Sequence, residues 1–266
     1  MMTKNLKIGI IGAGNMGSAI AKALSKSEDF HSADIYISDV NEKNLELIKN
    51  FSTNIHTTTS NIELVKLSDI VILAVKPWLI HQIAEETKAA INYDKQVIVS
   101  IAAGVDIKTL FSLFNEDAAI YRVIPNTAIE VSQSVSVIST HDADKEKQEL
   151  ITDVFTQLGK VYFVSEEQLN AFMSLSSCGI AYAFRYIRAA IEGGVEMGIA
   201  PQTAKEVVIQ TLRGAIELIE KSNSHPEVEI DKVTTPGGIT IKGLNEMEAY
   251  GFTNAVIKGL KASHIK

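Results

Sequence analysis

Cysteine is nearly missing from this chain: Cys178 is the only one in 266 residues. No intrachain disulfide can therefore form and a cysteine-based zinc site is excluded, which fits a reducing compartment. Cys178 itself reads as a small helix-packing residue. Basic charge is also in short supply, with 25 Lys and Arg against 32 Asp and Glu, a net charge of -7 and a pI near 5.4. A nucleic-acid backbone is held by clustered Lys and Arg, so nucleic acid is not expected as the main partner. No stretch approaches the roughly 18 apolar residues that a membrane span needs. The opening Met1-Met2-Thr3-Lys4-Asn5-Leu6-Lys7 lacks the apolar run and small-residue cleavage site of a secretory leader. Cytoplasm is the expected location. Internal repeats, low-complexity tracts and metal-ligand clusters are absent from the sequence. What remains is a hydrophobic share of 46%, enough for one large domain or two modest ones to fold without staples.

Glycine is placed where it matters. Lys7 to Ile11 is a short β-rich run, Gly12-Ala13-Gly14-Asn15-Met16-Gly17 follows, and Ser18 to Ser25 has helical composition. Strand, glycine turn, helix is the order in which this spacing marks a dinucleotide site. Gly12 allows the tight turn, Gly14 lets backbone approach a pyrophosphate, and Gly17 permits close packing of helix on strand. Asn15 and Met16, inside this loop, are counted with the glycines as cofactor-binding residues. A second strand, Asp34 to Ser38, ends at Asp39, about 20 residues past the last glycine, where an acid binds a ribose 2′-hydroxyl. The plainer alternative for Asp39 is a turn or cap before Asn41-Glu42-Lys43.

The alternation continues through helical Ile62 to Leu67, the apolar run Ile70 to Val75, helical Leu79 to Ala90 and the strand Val97 to Ile101. Amphipathic Ile107 to Phe114, strands Ala119 to Ile124 and Val131 to Ile138, helical Lys145 to Leu158 and strand Val161 to Val164 complete it. Continuous apolar strands are those buried on both faces. The expected fold is α/β, a Rossmann-type, doubly wound, mostly parallel sheet. Ligands in such sheets sit at the carboxyl ends of strands, so Ala74-Val75-Lys76-Pro77, Ala102-Ala103-Gly104 and Pro125-Asn126-Thr127 should line one crevice. Lys76 is placed to reach a phosphate, with a solvated strand-end lysine as the alternative. Asn126, beside a proline-fixed turn, is placed to orient a carboxamide or ribose.

From Ser165 the pattern becomes helical, with Ser165-Glu166-Glu167-Gln168 resembling a capping box. The expected domains are therefore 1–164 and 165–266. Helical periodicity covers Leu169 to Leu175, Ile180 to Met197, Pro201 to Ile219, Ile239 to Tyr250 and Asn254 to Ala262. Apolar residues spread around much of the Ile180 to Met197 segment, which implies burial on more than one side. A helical domain of about 100 residues struggles to cover such a helix alone. A homodimer is expected, with a helix buried inside one subunit as the alternative. Arg185 and Arg188 are spaced to pair with Glu192 or Glu196, and His225 reads as solvated in a polar loop. The run Thr234-Thr235-Pro236-Gly237-Gly238-Ile239-Thr240 looks like a second anion cradle, since paired glycines before a helix aim several N–H groups at one spot. Its alternative is an ordinary Pro-Gly-Gly turn with a threonine cap.

With these residues in view, the chain resembles the pyrroline-5-carboxylate reductase family along essentially its whole length. The anchors are Ile10 to Gly17, Ala74 to Pro77, Ser100 to Gly104, Arg122 to Thr127 and, most specific, Val233 to Ile241. The resemblance implies an oxidoreductase that reduces the cyclic imine 1-pyrroline-5-carboxylate to L-proline, with an N-terminal dinucleotide domain and a C-terminal all-helical dimerisation domain. It implies NADP(H) as cofactor, although Asp39 by its charge favours NAD(H). Thr240 and Thr235 are the implied catalytic pair, the Thr240 hydroxyl bonding the ring nitrogen. Gly237, Gly238, Ile239, Val233 and Ser176 are implied to bind substrate, with the N–H groups of Gly238, Ile239 and Thr240 on its carboxylate. The cyclic imine carries its own activating proton, so the lack of a His or Lys dyad is no obstacle. One departure stands out. The family's usual Leu-Ser-Gly-Ser-Gly-Pro-Ala-Tyr reads Leu175-Ser176-Ser177-Cys178-Gly179-Ile180-Ala181-Tyr182 here, and Thr235 and Ile239 replace the usual Ser and Thr or Ala. Two other readings compete with it: a β-hydroxyacid dehydrogenase, which would carry a lysine that the Ser176 to Met197 segment lacks, and a non-catalytic dinucleotide-binding regulator.

Overall fold

The computed structural model describes residues 6–27, 34–141 and 144–264, so the N-terminal Met1 to Asn5 lie outside it. The chain divides into two compact units, Met1–Ser177 and Cys178–Lys266.

The first unit is built on an eight-stranded sheet in the order β3-β2-β1-β4-β5-β6-β7-β8. The strands are β1 (Ile8–Ile11), β2 (Ile35–Ser38), β3 (His56–Thr58), β4 (Ile70–Leu73), β5 (Val97–Ser100), β6 (Ala119–Ile124), β7 (Ser134–Thr140) and β8 (Gly159–Phe163). Every neighbouring pair is parallel except β6 with β7. The helices between them are α1 (Asn15–Leu24), α2 (Glu42–Phe51), α3 (Asn61–Leu67), α4 (Ile80–Thr87), α5 (Ile107–Leu113) and α6 (Lys145–Thr156). Alternate residues of one strand feed opposite cores, as the two-residue period requires. Ile70 and Ile72 of β4 join Ile20, Leu24 and Ile48 on one face, whereas Val71 and Leu73 join Leu64, Val65, Ile80 and Leu110 on the other. Strand order reverses between β1 and β4, which opens a crevice at their carboxyl ends. There the Ala74 N–H donates to the Ile11 carbonyl at 2.8 Å, joining the two exits.

Side chains close most helix starts in this unit. Asn41, Ser60, Asp106 and Asp144 accept first-turn N–H bonds for α2, α3, α5 and α6. Helix α1 begins at Gly14, which has no side chain to cap with. Its first-turn donors are thus left for something else.

Two expectations are corrected. The strand expected from Val131 runs instead over Ser134–Thr140, because Thr127–Val131 is a 3₁₀ turn. Asn126 starts that turn by accepting the Ala128 N–H, and Ser132 ends it in the left-handed region at φ 54°. The Ser165 hydroxyl does not cap a helix; it donates to Gln168 Oε1 at 3.3 Å across a short 3₁₀ turn. Helix α7 (Leu169–Met173) then runs into a π-helical turn, Ser174–Cys178.

The second unit comprises α8 (Gly179–Glu196), α9 (Pro201–Ser222), α10 (Pro226–Lys232), α11 (Ile239–Ala249) and α12 (Phe252–Ala262). Helices α8 and α9 pack at Gly194, where a Cβ would lie 3.1 Å from the Ala204 Cβ. These two residues are the fully buried ones among those described in the unit's helices. Large apolar side chains such as Phe184, Val207, Leu218 and Ile257 are more than half exposed. Arg188 pairs with Glu192 one turn on, at 2.7 Å, as its spacing suggested. No described helix is long and apolar enough to cross a membrane.

Candidate functional site

The glycine loop between β1 and α1 is shaped by steric limits that differ at each glycine. Gly12 sits at φ +106°, and a Cβ on it would lie 2.6 Å from the Ala74 carbonyl oxygen. Its N–H donates to the Ser38 carbonyl at 2.7 Å, tying the loop to the end of β2. A Cβ on Gly17 would lie 1.9 Å from the Gly12 carbonyl oxygen, so this glycine serves helix–strand packing. Around Gly14 nothing lies within 4 Å of the Cβ position. That open space, beside an uncapped helix start, suits a dinucleotide's pyrophosphate. Such a ligand's fit is thus supported by the shape and donors of this loop.

The loop opens on a cleft of about 910 Å³. Of the residues expected to bind cofactor, Gly12, Gly14, Asn15, Met16, Asp39, Ala74, Val75, Lys76, Pro77 and Ala102 line it. Gly17, Gly104 and Asn126 do not. Gly17 lies behind the loop, and Gly104 holds a left-handed turn at φ +81° before α5. Asn126 is bound to protein at three atoms: its N–H donates to Ser134 Oγ (3.1 Å), its Oδ1 accepts from Ala128 (3.0 Å) and its Nδ2 donates to the Ser176 carbonyl (3.3 Å). The neighbouring Pro125 lines the cleft in its place.

Asp39 stands at the cleft's edge with a fixed carboxylate. Its Oδ2 accepts from the Ala13 N–H (2.7 Å) and from Asn44 Nδ2 (3.2 Å), and its Oδ1 accepts from the Asn41 N–H (2.8 Å). Asp39 thus holds the turn before Asn41, the N-cap of α2, and lines the cleft as well. Beneath it Ser38 donates to buried Asn61, whose amide donates to Glu86 at 3.0 Å.

Some lining residues went unforeseen. Gln82 and Ile83 reach the cleft from α4, and Met173 and Ser177 from the stretch after β8. The Ser177 hydroxyl donates to the Pro125 carbonyl at 2.9 Å, and the Ser176 hydroxyl donates back to Phe172. A place in the first turn of the helix that follows β4 was a usable signal for the first pair; a π turn has no comparable sequence signal. The same region is braced by a part-buried ion pair. Glu166 Oε1 accepts from Arg122 Nη1 (2.9 Å) and from the Ile107 N–H (2.8 Å), so it joins β6 to the start of α5.

In the second unit, Thr234 to Thr240 forms a tight turn leading into α11. Gly237 adopts φ +73° and Gly238 takes the N-cap position, with no side-chain cap bond. The Gly238 N–H, expected to grip a ligand, closes the turn onto the Thr235 carbonyl at 3.0 Å. That leaves the first N–H groups of α11, at Ile239 and Thr240, as the donors the loop presents. A Cβ on Gly238 would sit 2.6 Å from Thr235 Oγ1, so the hydroxyl lies directly over the paired glycines. Thr234 is turned away, its hydroxyl bonded to the Ile230 carbonyl at 2.7 Å. Val233 is exposed beside it, and Ile239 is 87% exposed. His225, expected to be solvated, is the N-cap of α10, its Nδ1 accepting from the Glu227 N–H.

Residues 166–266 match the family described as pyrroline-5-carboxylate reductase dimerisation, and residues 7–104 match NADP oxidoreductase, coenzyme F420-dependent. Pyrroline-5-carboxylate reductase 1 of Dictyostelium discoideum is 38% identical over 97% of this chain, which spans 49% of that relative, about half its length. Reductase 2 of the same organism is 32% identical over 98% of this chain and 92% of its own length. The chain belongs to the pyrroline-5-carboxylate reductase family. A solved family structure, the Plasmodium falciparum pyrroline carboxylate reductase with NADP bound, superposes with a TM-score of 0.88 at 26% identity, covering 97% of this chain and 95% of that one. Family membership removes the β-hydroxyacid dehydrogenase alternative. The departures at Ser177, Cys178 and Ile180 fall in and beside the π turn, and Ser177 itself lines the cleft.

Proposed function

We infer that this chain is a pyrroline-5-carboxylate reductase, an NAD(P)H-dependent oxidoreductase that reduces the C=N bond of 1-pyrroline-5-carboxylate to give L-proline. The observation that carries this is a match to such reductases over nearly the whole chain, joined to a glycine-loop cleft at the sheet's switch point. The family's NADP(H) is the cofactor of this reading, supported by the NADP-bound relative, with NAD(H) as its alternative. When bound, the reduced nicotinamide supplies the hydride.

The protein's own part is positioning. Gly12, Gly14, Asn15, Met16 and Gly17 form the pyrophosphate loop, Asp39 takes the ribose, and Ala74 to Pro77 with Ala102 shape the cleft wall. Gly104 and Asn126 hold the turns behind it. The N–H groups of Ile239 and Thr240, with the Thr235 hydroxyl, hold the substrate carboxylate at the positive end of α11. The Thr240 hydroxyl bonds the ring nitrogen, Gly237 and Gly238 shape the turn that carries these donors, and Val233 and, in the first unit, Ser176 are the further substrate-binding residues of this reading. The imine arrives with its nitrogen protonated, so no strong general acid is required. Orientation of this kind is worth on the order of 7 to 11 kcal/mol. The working division is 1–164 for the dinucleotide and 165–266 for substrate and assembly. The assembly is a homodimer, since the second unit's helices leave large apolar side chains exposed and the dimerisation family matches this region. A cytoplasmic setting completes the reading, supported by the near absence of cysteine.

The test is turnover of racemic pyrroline-5-carboxylate, followed by loss of reduced-cofactor absorbance, for the wild type and Thr240→Ala. The wild type should turn over and the variant should lose about 100-fold in kcat, in the range of a lost proton-handling or hydrogen-bonding group. An inactive wild type would leave the non-catalytic regulator as the better reading. Full kcat and KM in the variant would remove the role given to Thr240.

A further inference from the structure

Three serines stand in the π turn, Ser174, Ser176 and Ser177, and the last bonds unlike the others. The hydroxyls of Ser174 and Ser176 donate to carbonyls four residues back on their own helix, Asn170 at 3.0 Å and Phe172 at 2.9 Å. That is the ordinary outlet for a serine inside a helix. The Ser177 hydroxyl instead donates to the Pro125 carbonyl, 52 positions away, at 2.9 Å. A carbonyl can only accept, so the Ser177 proton is committed to it and the oxygen keeps only its lone pairs to offer. Among the described residues none donates to that oxygen. A second bond fixes the same two segments in the opposite direction, since Asn126 Nδ2 donates to the Ser176 carbonyl at 3.3 Å. Ser177 and Pro125 both line the cleft. Of the lining residues supplied by β5 and everything after it, which include Ile101, Ala102 and Met173, Ser177 is the one with a polar side chain.

We propose that Ser177 Oγ accepts an N–H of the nicotinamide carboxamide, the role expected of Asn126, whose amide is bonded within the protein. The proposal rests on the reading of the cleft as a nicotinamide dinucleotide site. With the pyrophosphate at the glycine loop and one ribose at Asp39 beyond β2, the nicotinamide falls on the other side of the switch point, toward the exits of β5 and β6. Pro125 and Ser177 stand on that side. An oxygen that can only accept, set among apolar neighbours, selects a group that brings its own proton. The carboxamide brings two, beside the ring carbon that carries the hydride. The bond therefore fixes which way the ring is turned. The glycine usual in the family at this position has no such oxygen, so the contact belongs to this chain's departure from it.

Calorimetric titration of the full chain with oxidised NADP and with its acetylpyridine analogue, no substrate present, tests this, because the analogue replaces the carboxamide NH2 by a methyl and keeps the carbonyl. The wild type should bind NADP more tightly than the analogue. Ser177→Ala should shrink the ratio of the two affinities about fivefold, the worth of one neutral hydrogen bond, by weakening NADP alone. Ser177→Gly, which installs the family's usual residue, should shrink it as far and keeps the test open should the alanine variant fail to fold. A serine that merely braced the π turn would weaken both ligands alike and leave the ratio fixed, which overturns the proposal. So do variants that bind both ligands as the wild type does. A wild type that binds neither would overturn the dinucleotide reading and the proposal with it.

Discussion

Gly14 and Gly17 belong to one motif but should fail in different ways when each is replaced by alanine. At Gly17 the new Cβ would stand 1.9 Å from the Gly12 carbonyl oxygen and 3.1 Å from the Ala74 Cβ. Non-bonded heavy atoms settle at roughly 3.5 Å, so about 1.5 Å of movement is needed. The oxygen cannot easily supply it, because Gly12 is bonded to Ser38 and packed on Ala74. Helix α1 cannot easily supply it either, since Ile20 and Leu24 are wholly buried. Overpacking of this kind costs about 1 to 3 kcal/mol, or more against backbone. The helix propensity of alanine returns about 0.5 to 1 kcal/mol. A net loss near 2 kcal/mol corresponds to a Tm lower by roughly 4 to 8 °C in a domain of this size. At Gly14 the φ of -71° suits any residue and nothing lies within 4 Å, so Tm should hold within about 2 °C. The methyl would occupy the approach to the pyrophosphate, and reduced-cofactor affinity should fall about tenfold or more, roughly 1.4 kcal/mol. Thermal unfolding and cofactor titration of both variants check this. A Gly17→Ala protein with wild-type Tm, or a Gly14→Ala protein with wild-type cofactor affinity, would refute the division of labour.

Glu166→Ala leaves the Arg122 side chain, 8% exposed, without its carboxylate partner. Urea unfolding should show a loss of about 2 to 3 kcal/mol, below the usual range for a broken buried pair because Glu166 is itself 23% exposed. The double variant Arg122→Met, Glu166→Leu should recover most of it. Asp106 caps α5, and bonding from Thr109, helped by the nearby Arg122 and Lys108 charges, lowers its pKa below the ordinary aspartate value. A depressed folded-state pKa gives stability that is present above the unfolded-state value and lost as pH falls through the folded-state one. Wild-type stability should therefore drop more steeply than that of Asp106→Asn as pH is lowered below about 4, where an unfolded aspartate titrates.

The strands from β4 to β6 were legible because both faces are buried, which writes continuous apolar runs such as Ile70 to Leu73. β3 was missed. It is three residues long, reads His-Thr-Thr and is partly exposed, so neither length nor pattern marks it. α10 was missed because its seven residues carry mostly charge, and only its Pro226 after a capping His225 hints at it. At the site, glycine positions were readable because each answers a backbone constraint. The engagement of Asn126 was not, since which partner a polar group takes depends on residues that the fold brings together, Ser176 being 50 positions from Asn126.

Under the homodimer proposed above, helices that bury only Gly194 and Ala204 among their described residues make the fold of each copy a matter of company. For a homodimer held through such surfaces, association and folding share one equilibrium, and apparent stability climbs with the logarithm of protein concentration. Dilution would then disassemble this protein more gently than heat, and a melting point quoted without its micromolar value would describe the tube rather than the chain.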